Sequence, residues 1–212
     1  MHKNTIINWA KENAINITES QLSALESFQD RVLAVNKHMN LTAITTCEDF
    51  AVKHIIDSLT LLPYIPENAN LIDIGTGAGF PGLVLRIMRE DINLTLLDSL
   101  RKRVIFLRET SDMLNFPEVE CIHARAEEFA KKHPEVFDIC TARAVAKLDK
   151  LAKYTLPLIK KGGSFLAMKG PDTTAELAEA KSAIQKYGGS VEKIAITKIA
   201  EELNHSVIII RK

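Results

Sequence analysis

The chain has 212 residues, with 27 Lys+Arg against 27 Asp+Glu, a formal net charge of +0 and 46% hydrophobic residues. That length suits one hydrophobic core with at most a small appendage, and the balanced charge excludes the strongly basic character of a general polyphosphate binder. No apolar run is long enough to span a bilayer and no secretory signal is expected at MHKNTIINWAKENA, so a cytoplasmic location is expected.

Residues 1–66 read as a helical extension. Thr18 and Gln21 form a capping box, after which Leu22, Leu25, Phe28, Val32 and Val35 recur at helical spacing. A further helix is expected after Thr45 or Thr46, with Glu48 and Asp49 in its positive first turn, running toward Pro63 and Pro66. The prolines mark the expected boundary with a main domain over residues 67–212. Within the extension, His54 and Asp57 lie three residues apart and share a helix face, while Asn36 and Asn40 are candidates to shape the turn or meet a substrate.

From Asn70 the pattern changes to short apolar runs alternating with amphipathic stretches. The runs are Leu71–Ile74, Leu94–Asp98, Val119–His123, Phe137–Thr141 and Ser164–Met168, which predict a parallel sheet with helical crossovers. The end differs. Val191–Lys198 and Ser206–Arg211 are two strand-like runs joined by a short polar loop containing Asn204 and His205, and so predict an antiparallel pair. Cys47, Cys121 and Cys140 occur singly, without the paired spacings of metal or redox sites; buried thiols and no metal are expected.

The first strand leads into LIDIGTGAGFPGLVL, residues Leu71 to Leu85, which holds four of the nine glycines. Gly77, Gly79 and Gly82 fit a dinucleotide fingerprint, whereas Asp73, Gly75, Gly77 and Gly79 fit the loop of S-adenosylmethionine sites. Asp98, closing the second strand, can accept from both hydroxyls of an adenosine ribose and suits either cofactor. The closing antiparallel pair takes the place of the second half of a dinucleotide domain, and this favours S-adenosylmethionine.

At IDIGTGAGFPG and LLDSLRKRVIFLRE, together with NKHMNLTAI and HIIDSL, the chain resembles the glucose-inhibited division protein B family from about Asn36 onward. These are bacterial methyltransferases acting on N7 of a guanosine in the 530 loop of 16S ribosomal RNA. The resemblance implies an α/β class I S-adenosylmethionine-dependent methyltransferase. Its fold would be Rossmann-like, a mostly parallel seven-stranded sheet with an antiparallel C-terminal strand, carrying the helical extension.

The resemblance further implies that Gly75 and Phe80 lie against S-adenosylmethionine, that Asp98 faces the ribose, and that Ala126 and Glu127 border the adenine. Arg143 would stand near the cofactor's methionine end, at the carboxyl edge of the sheet, and HIIDSL would cap the site. Arg101, Lys102, Arg103 and Arg108, helped by Lys169, are the candidates for RNA phosphate, and the expected partner is 16S RNA within the small ribosomal subunit or its precursor.

Guanine N7 carries a free lone pair, so no general base and no catalytic side chain in the strict sense is expected. The chain has TARAV where exocyclic-amine methylases carry an N/D-P-P-Y/F loop, and Cys140 lies mid-strand, unsuited to covalent attack on cytosine. An NAD-dependent oxidoreductase and a non-catalytic RNA-binding ribosome-assembly factor stand as alternatives.

Overall fold

The computed structural model describes residues 1–143, 146–200 and 203–212. Two helices open the chain, α1 (Lys3–Glu12) and α2 (Glu19–Met39). Both halves of the Thr18–Gln21 capping box are made, and Asn40 closes α2 in the left-handed region at φ 52°. The expected third helix begins after its Thr46 cap but is not uniform: α3 (Cys47–Phe50) passes into a π-helical turn, Ala51–Ile56, and ends as α4 (Asp57–Leu59). Cys47, in its first turn, is exposed, so the expectation of three buried thiols holds only for Cys121 and Cys140. Among the described residues, no helix is long and apolar enough to cross a membrane.

Strands and helices then alternate: β1 (Asn70–Ile74), α5 (Gly82–Met88), β2 (Asn93–Asp98), α6 (Arg101–Met113), β3 (Glu120–His123), α7 (Ala126–Lys132), β4 (Phe137–Arg143), α8 (Leu148–Thr155), β5 (Ile159–Lys169), α9 (Thr174–Lys186), β6 (Ser190–Ala200) and β7 (Leu203–Arg211). The sheet order is β3-β2-β1-β4-β5-β7-β6. β7 alone runs against its neighbours, pairing antiparallel with both β5 and β6, while the pairs among β1 to β5 are parallel. Asn204 and His205, expected in a loop, instead pair with Lys198 and Thr197, because the β6–β7 ladder extends almost to its tip. The two positions between those strands, like Ala144 and Val145 of TARAV, lie outside the described residues.

Successive residues of each strand feed opposite cores, as the pleat requires. Leu71, Leu96, Ile139, Leu166 and Ile209 join α2, the third helix, α5 and α6 on one face. Ile72, Leu97, Cys140, Phe165 and Ile210 join α7, α8 and α9 on the other. The amino-terminal helices therefore share one apolar cluster with the sheet. Trp9 Nε1 also donates to Lys198 O at 3.1 Å, tying α1 to the edge strand. This arrangement brings the third helix over the carboxyl end of β4 and against His205 of β7.

Candidate functional site

The glycine loop leans over the end of β2, where Gly75 N and Thr76 N both donate to Leu97 O at 2.8 and 3.2 Å. Its glycines have different reasons. A Cβ on Gly79 would lie 2.7 Å from Leu83 Cδ1, and one on Gly82 would lie 2.5 Å from Leu96 Cδ2, so these two are demanded by the packing of α5. A Cβ on Gly77, at φ +61°, would meet nothing nearer than Gly75 O at 4.0 Å. The last two glycines of the dinucleotide fingerprint thus answer to the protein's own side chains. Gly77 alone of the three leaves its outer surface open to a ligand.

Two aspartates fix this loop. Asp73 is fully buried, with Oδ2 accepting from Gly82 N at 3.0 Å and Oδ1 from Thr141 Oγ1 at 2.9 Å. Burial raises its carboxyl to about 6. With both oxygens engaged inside the protein, Asp73 shapes the loop that follows β1. Asp98 accepts from Gly77 N at 3.0 Å through Oδ2 and from Leu100 N at 2.8 Å through Oδ1. A carboxylate offers about four acceptor sites, so two backbone bonds leave capacity for a ribose. Ala126 and Glu127 open α7 nearby, where Ala124 N donates to Asp98 O at 3.2 Å. The Phe80 ring is buried, stacked on His54 with centroids 4.2 Å apart and packed against Phe28 and Phe50.

Arg143 ends β4 at the centre of a polar cluster. Its Nη1 donates to Lys53 O at 2.8 Å and to Asp57 Oδ2 at 3.1 Å, its Nη2 reaches His54 Nδ1 at 2.8 Å, and its guanidinium lies 5.2 Å from the Phe80 ring centroid. Arginine only donates, so His54 Nδ1 accepts and the imidazole proton sits on Nε2, which donates to Thr42 Oγ1 at 2.8 Å. Burial, reinforced by the Arg143 charge, lowers His54 to about 3 and keeps the ring neutral. Thr42 is itself held by Asn36, whose side chain bonds its N–H and C=O at 2.9 Å each, so Asn36 shapes the turn after α2.

Asp57 completes the cluster by accepting from His205 Nδ1 of β7 at 2.7 Å. Arg143, His54, Asp57 and His205, with Met168, Lys169 and others, line a cleft of about 440 Å³ at the carboxyl edge of the sheet. A larger cavity, about 740 Å³, lies at the opposite edge around Lys160, Gly163 and Arg211, away from the glycine loop. Sequence reasoning misses His205, because a lone histidine in a polar stretch carries no local signal. Its meaning comes from a carboxylate 148 residues away.

The expected phosphate ligands differ in the contacts they already make. Arg101 and Lys102 are exposed at the start of α6, whereas Arg103 approaches Asp98 Oδ2 at 3.5 Å and Arg108 donates to Cys121 O at 3.3 Å. Lys169 is committed elsewhere: Nζ donates to Glu176 Oε1 at 2.6 Å and Ala146 O at 2.9 Å, and its side chain is 10% exposed. Glu176 also accepts from Leu148 N, the first N–H of α8, at 2.7 Å. Lys169 therefore secures the entry to α8 through Glu176.

The fold and the sequence both have known counterparts. An O-methyltransferase from Bacillus cereus, solved in complex with SAH, superposes with a TM-score of 0.65 at 17% identity, covering 97% of this chain and 96% of that one. This likeness bears on the fold, which is that of the class I S-adenosylmethionine-dependent methyltransferases. Proteins named Ribosomal RNA small subunit methyltransferase G are far closer in sequence. That of Desulforamulus reducens is 45% identical over 210 residues, covering 96% of this chain and 87% of its own length. That of Alkaliphilus metalliredigens is 42% identical over 207 residues, covering 95% and 87%. The family model described as GidB, rRNA small subunit methyltransferase G, matches residues 21–206, and with the loop, the Asp98 anchor and the Arg143 cluster in place the chain belongs to that family.

Proposed function

We propose that this chain transfers the methyl group of S-adenosylmethionine to N7 of a guanosine in the 530 loop of 16S ribosomal RNA, acting on the small ribosomal subunit or its precursor. The observation that carries the reading is the cleft at the carboxyl edge of β4 and β5, which shares Arg143 and His54 with the wall behind the glycine loop through the Phe80 stack. The glycine loop follows β1 and Arg143 ends its neighbour β4, so a cofactor held by the loop and a base held in the cleft would meet at the same edge of the sheet. The fit to the cofactor rests on the open surface of Gly77 and on the spare acceptor capacity of Asp98. In this reading Gly75, Gly77 and Gly79 shape the backbone around the cofactor. Asp98 takes the ribose, Ala126 and Glu127 border the adenine, and Arg143 stands at the methionine end.

When bound, S-adenosylmethionine supplies an electrophilic methyl carbon on a sulfonium. Guanine N7 offers a free lone pair, so no residue of this chain would have to take a proton from the base. The residues' task is orientation, an effect worth about 7–11 kcal/mol when attack geometry is enforced. No side chain is needed as a base, and the site agrees: His54 is neutral with both nitrogens occupied, and the buried Cys140 thiol is raised well above its ordinary value. Covalent attack through Cys140 is thereby disfavoured.

Contact with RNA falls to the start of α6. Arg101, Lys102 and Arg103 crowd the positive end of the helix; Asp98 faces Arg103 at 3.5 Å, and no acidic residue within the first turn offsets the exposed Arg101 and Lys102. A sequence that breaks a local rule in this way points to a bound anion, here phosphate. The test is methyl transfer from labelled S-adenosylmethionine to small subunits from cells lacking this protein. Label at N7 of one guanosine in the 530 loop is the expected outcome; label on a protein, a small molecule or another RNA position would sink the assignment.

A further inference from the structure

We propose that Asp57 is a positioning residue for methyl transfer, its buried carboxylate fixing Arg143 and His205 as two walls of the cleft that receives the base. The proposal rests on the functional reading above. β4 and β7 are not neighbours; β5 runs between them. Their backbones are therefore roughly 9–10 Å apart, too far for the ladder to set the spacing of their side chains. Asp57 closes that gap from a third element. It is 1% exposed, with Oδ2 on Arg143 Nη1 at 3.1 Å and Oδ1 on His205 Nδ1 at 2.7 Å.

The consequences for His205 follow from donor and acceptor rules. A carboxylate only accepts, so Nδ1 carries the proton. Nε2 is then left without a protein partner among the described residues, on a side chain that lines the cleft and is 27% exposed. In the neutral ring that nitrogen is an acceptor, suited to an N–H on the edge of a guanine. Without Asp57 the ring is free to rotate and to exchange tautomers, and the acceptor has no defined place.

Charge gives a second reason for a carboxylate at this position. Methylation at N7 leaves the base cationic, and the permanent charge of Arg143 stands in the same cleft. Asp57 offsets that charge at 3.1 Å, so the developing positive ring faces a compensated floor. Arg143 keeps its other anchors, Lys53 O and His54, if Asp57 is changed, but loses its neutralising partner. The π-helical turn that delivers Asp57 is of the kind that recurs at functional sites.

The experiment measures kcat and KM on small ribosomal subunits, together with calorimetric binding of S-adenosylhomocysteine, for Asp57→Asn, His205→Gln and the double variant. Asp57→Asn is expected to lower kcat by about 10- to 100-fold while S-adenosylhomocysteine affinity stays within about 2-fold. His205→Gln should cost little more in the Asp57→Asn background, since one residue acts partly through the other. Nitrogen NMR of the wild type should show His205 protonated at Nδ1, and Asp57→Asn should abolish that preference. If Asp57→Asn does not fold, His205→Gln decides through its own loss of kcat. Undiminished kcat in a folded Asp57→Asn, or in His205→Gln, overturns the proposal. A wild-type protein that leaves the subunit unmethylated overturns the functional reading instead.

Discussion

Asp98 is 2% exposed, yet it is the residue on which a cofactor's ribose would depend, because its oxygens already organise Gly77 N and Leu100 N. Asp98→Ala should weaken S-adenosylhomocysteine binding by about 1–3 kcal/mol, as the donors it serves lose their partner. Calorimetry showing unchanged affinity would remove it from the site. The other titratable groups nearby set a pH dependence whose sign can be worked out. His54 has its ordinary 6.5 lowered to about 3, so the unfolded chain takes up a proton that the folded one refuses, and stability is lost as pH falls from 6.5 toward 3. Asp73, raised from 3.8 to about 6, acts in the other direction. Between those values the folded state holds a proton that the unfolded state has released, so its contribution declines as pH rises through the window. The two slopes oppose each other there. Asp73→Asn should therefore steepen the acid loss between pH 6 and 4 while leaving the melting temperature at pH 7.5 equal or higher. Parallel melting curves for wild type and variant across pH 4–8 would show that Asp73 does not titrate as its burial requires.

At the scale of elements, the β1–α5 loop separates two uses of glycine that its sequence runs together. Gly82→Ala would drive a Cβ to 2.5 Å from Leu96 Cδ2 and 3.0 Å from Asp73 Oδ2, an overpacking that costs about 1–3 kcal/mol of stability. Gly77→Ala meets open space, so it should cost only about 1–2 kcal/mol for its positive φ yet abolish cofactor binding. Thermal unfolding and calorimetry on the two variants check this, and the reverse pattern would sink it. The same contrast shows what the sequence can disclose. The strands are legible because each carries a run of apolar or alternating apolar residues, although β5 and β6 extend beyond theirs, and the α2 cap because its bonds are local. The π-helical turn is not legible, nor the strand placement of His205, nor the role of Lys169, whose partner Glu176 belongs to the next helix. Each depends on a contact between separate elements. The candidate site divides along the same line: the loop and Asp98 are contiguous motifs, whereas the cleft draws side chains from the third helix, β4, β5 and β7.

Across the whole molecule, one polar chain runs from Asn36 through Thr42, His54, Arg143 and Asp57 to His205, joining the amino-terminal helices to the last strand over the sheet's carboxyl edge. This is the edge from which RNA would approach. A formal net charge of +0 offers little general attraction to polyphosphate, so binding must come from a local patch and from the shape of a presented loop. Charge reversal at Arg101 and Lys102, both exposed, should weaken RNA binding and flatten its dependence on salt by about one unit of slope for each phosphate no longer neutralised. Lys169→Ala, by contrast, should lower the melting temperature and leave that slope alone, because its ammonium already serves Glu176 and Ala146 O. A small patch of this kind selects for RNA whose bases are already splayed by their surroundings. Folded 16S RNA in a small subunit or its precursor should accordingly be methylated faster than short fragments carrying the same sequence. The product base bears a positive ring, so borohydride followed by aniline should cleave the RNA at the modified guanosine. Subunits from cells lacking this protein should resist that cleavage until the purified enzyme and S-adenosylmethionine are added. Cleavage before addition, or faster modification of naked fragments, would mean that the local patch and cleft do not select a loop presented by the subunit.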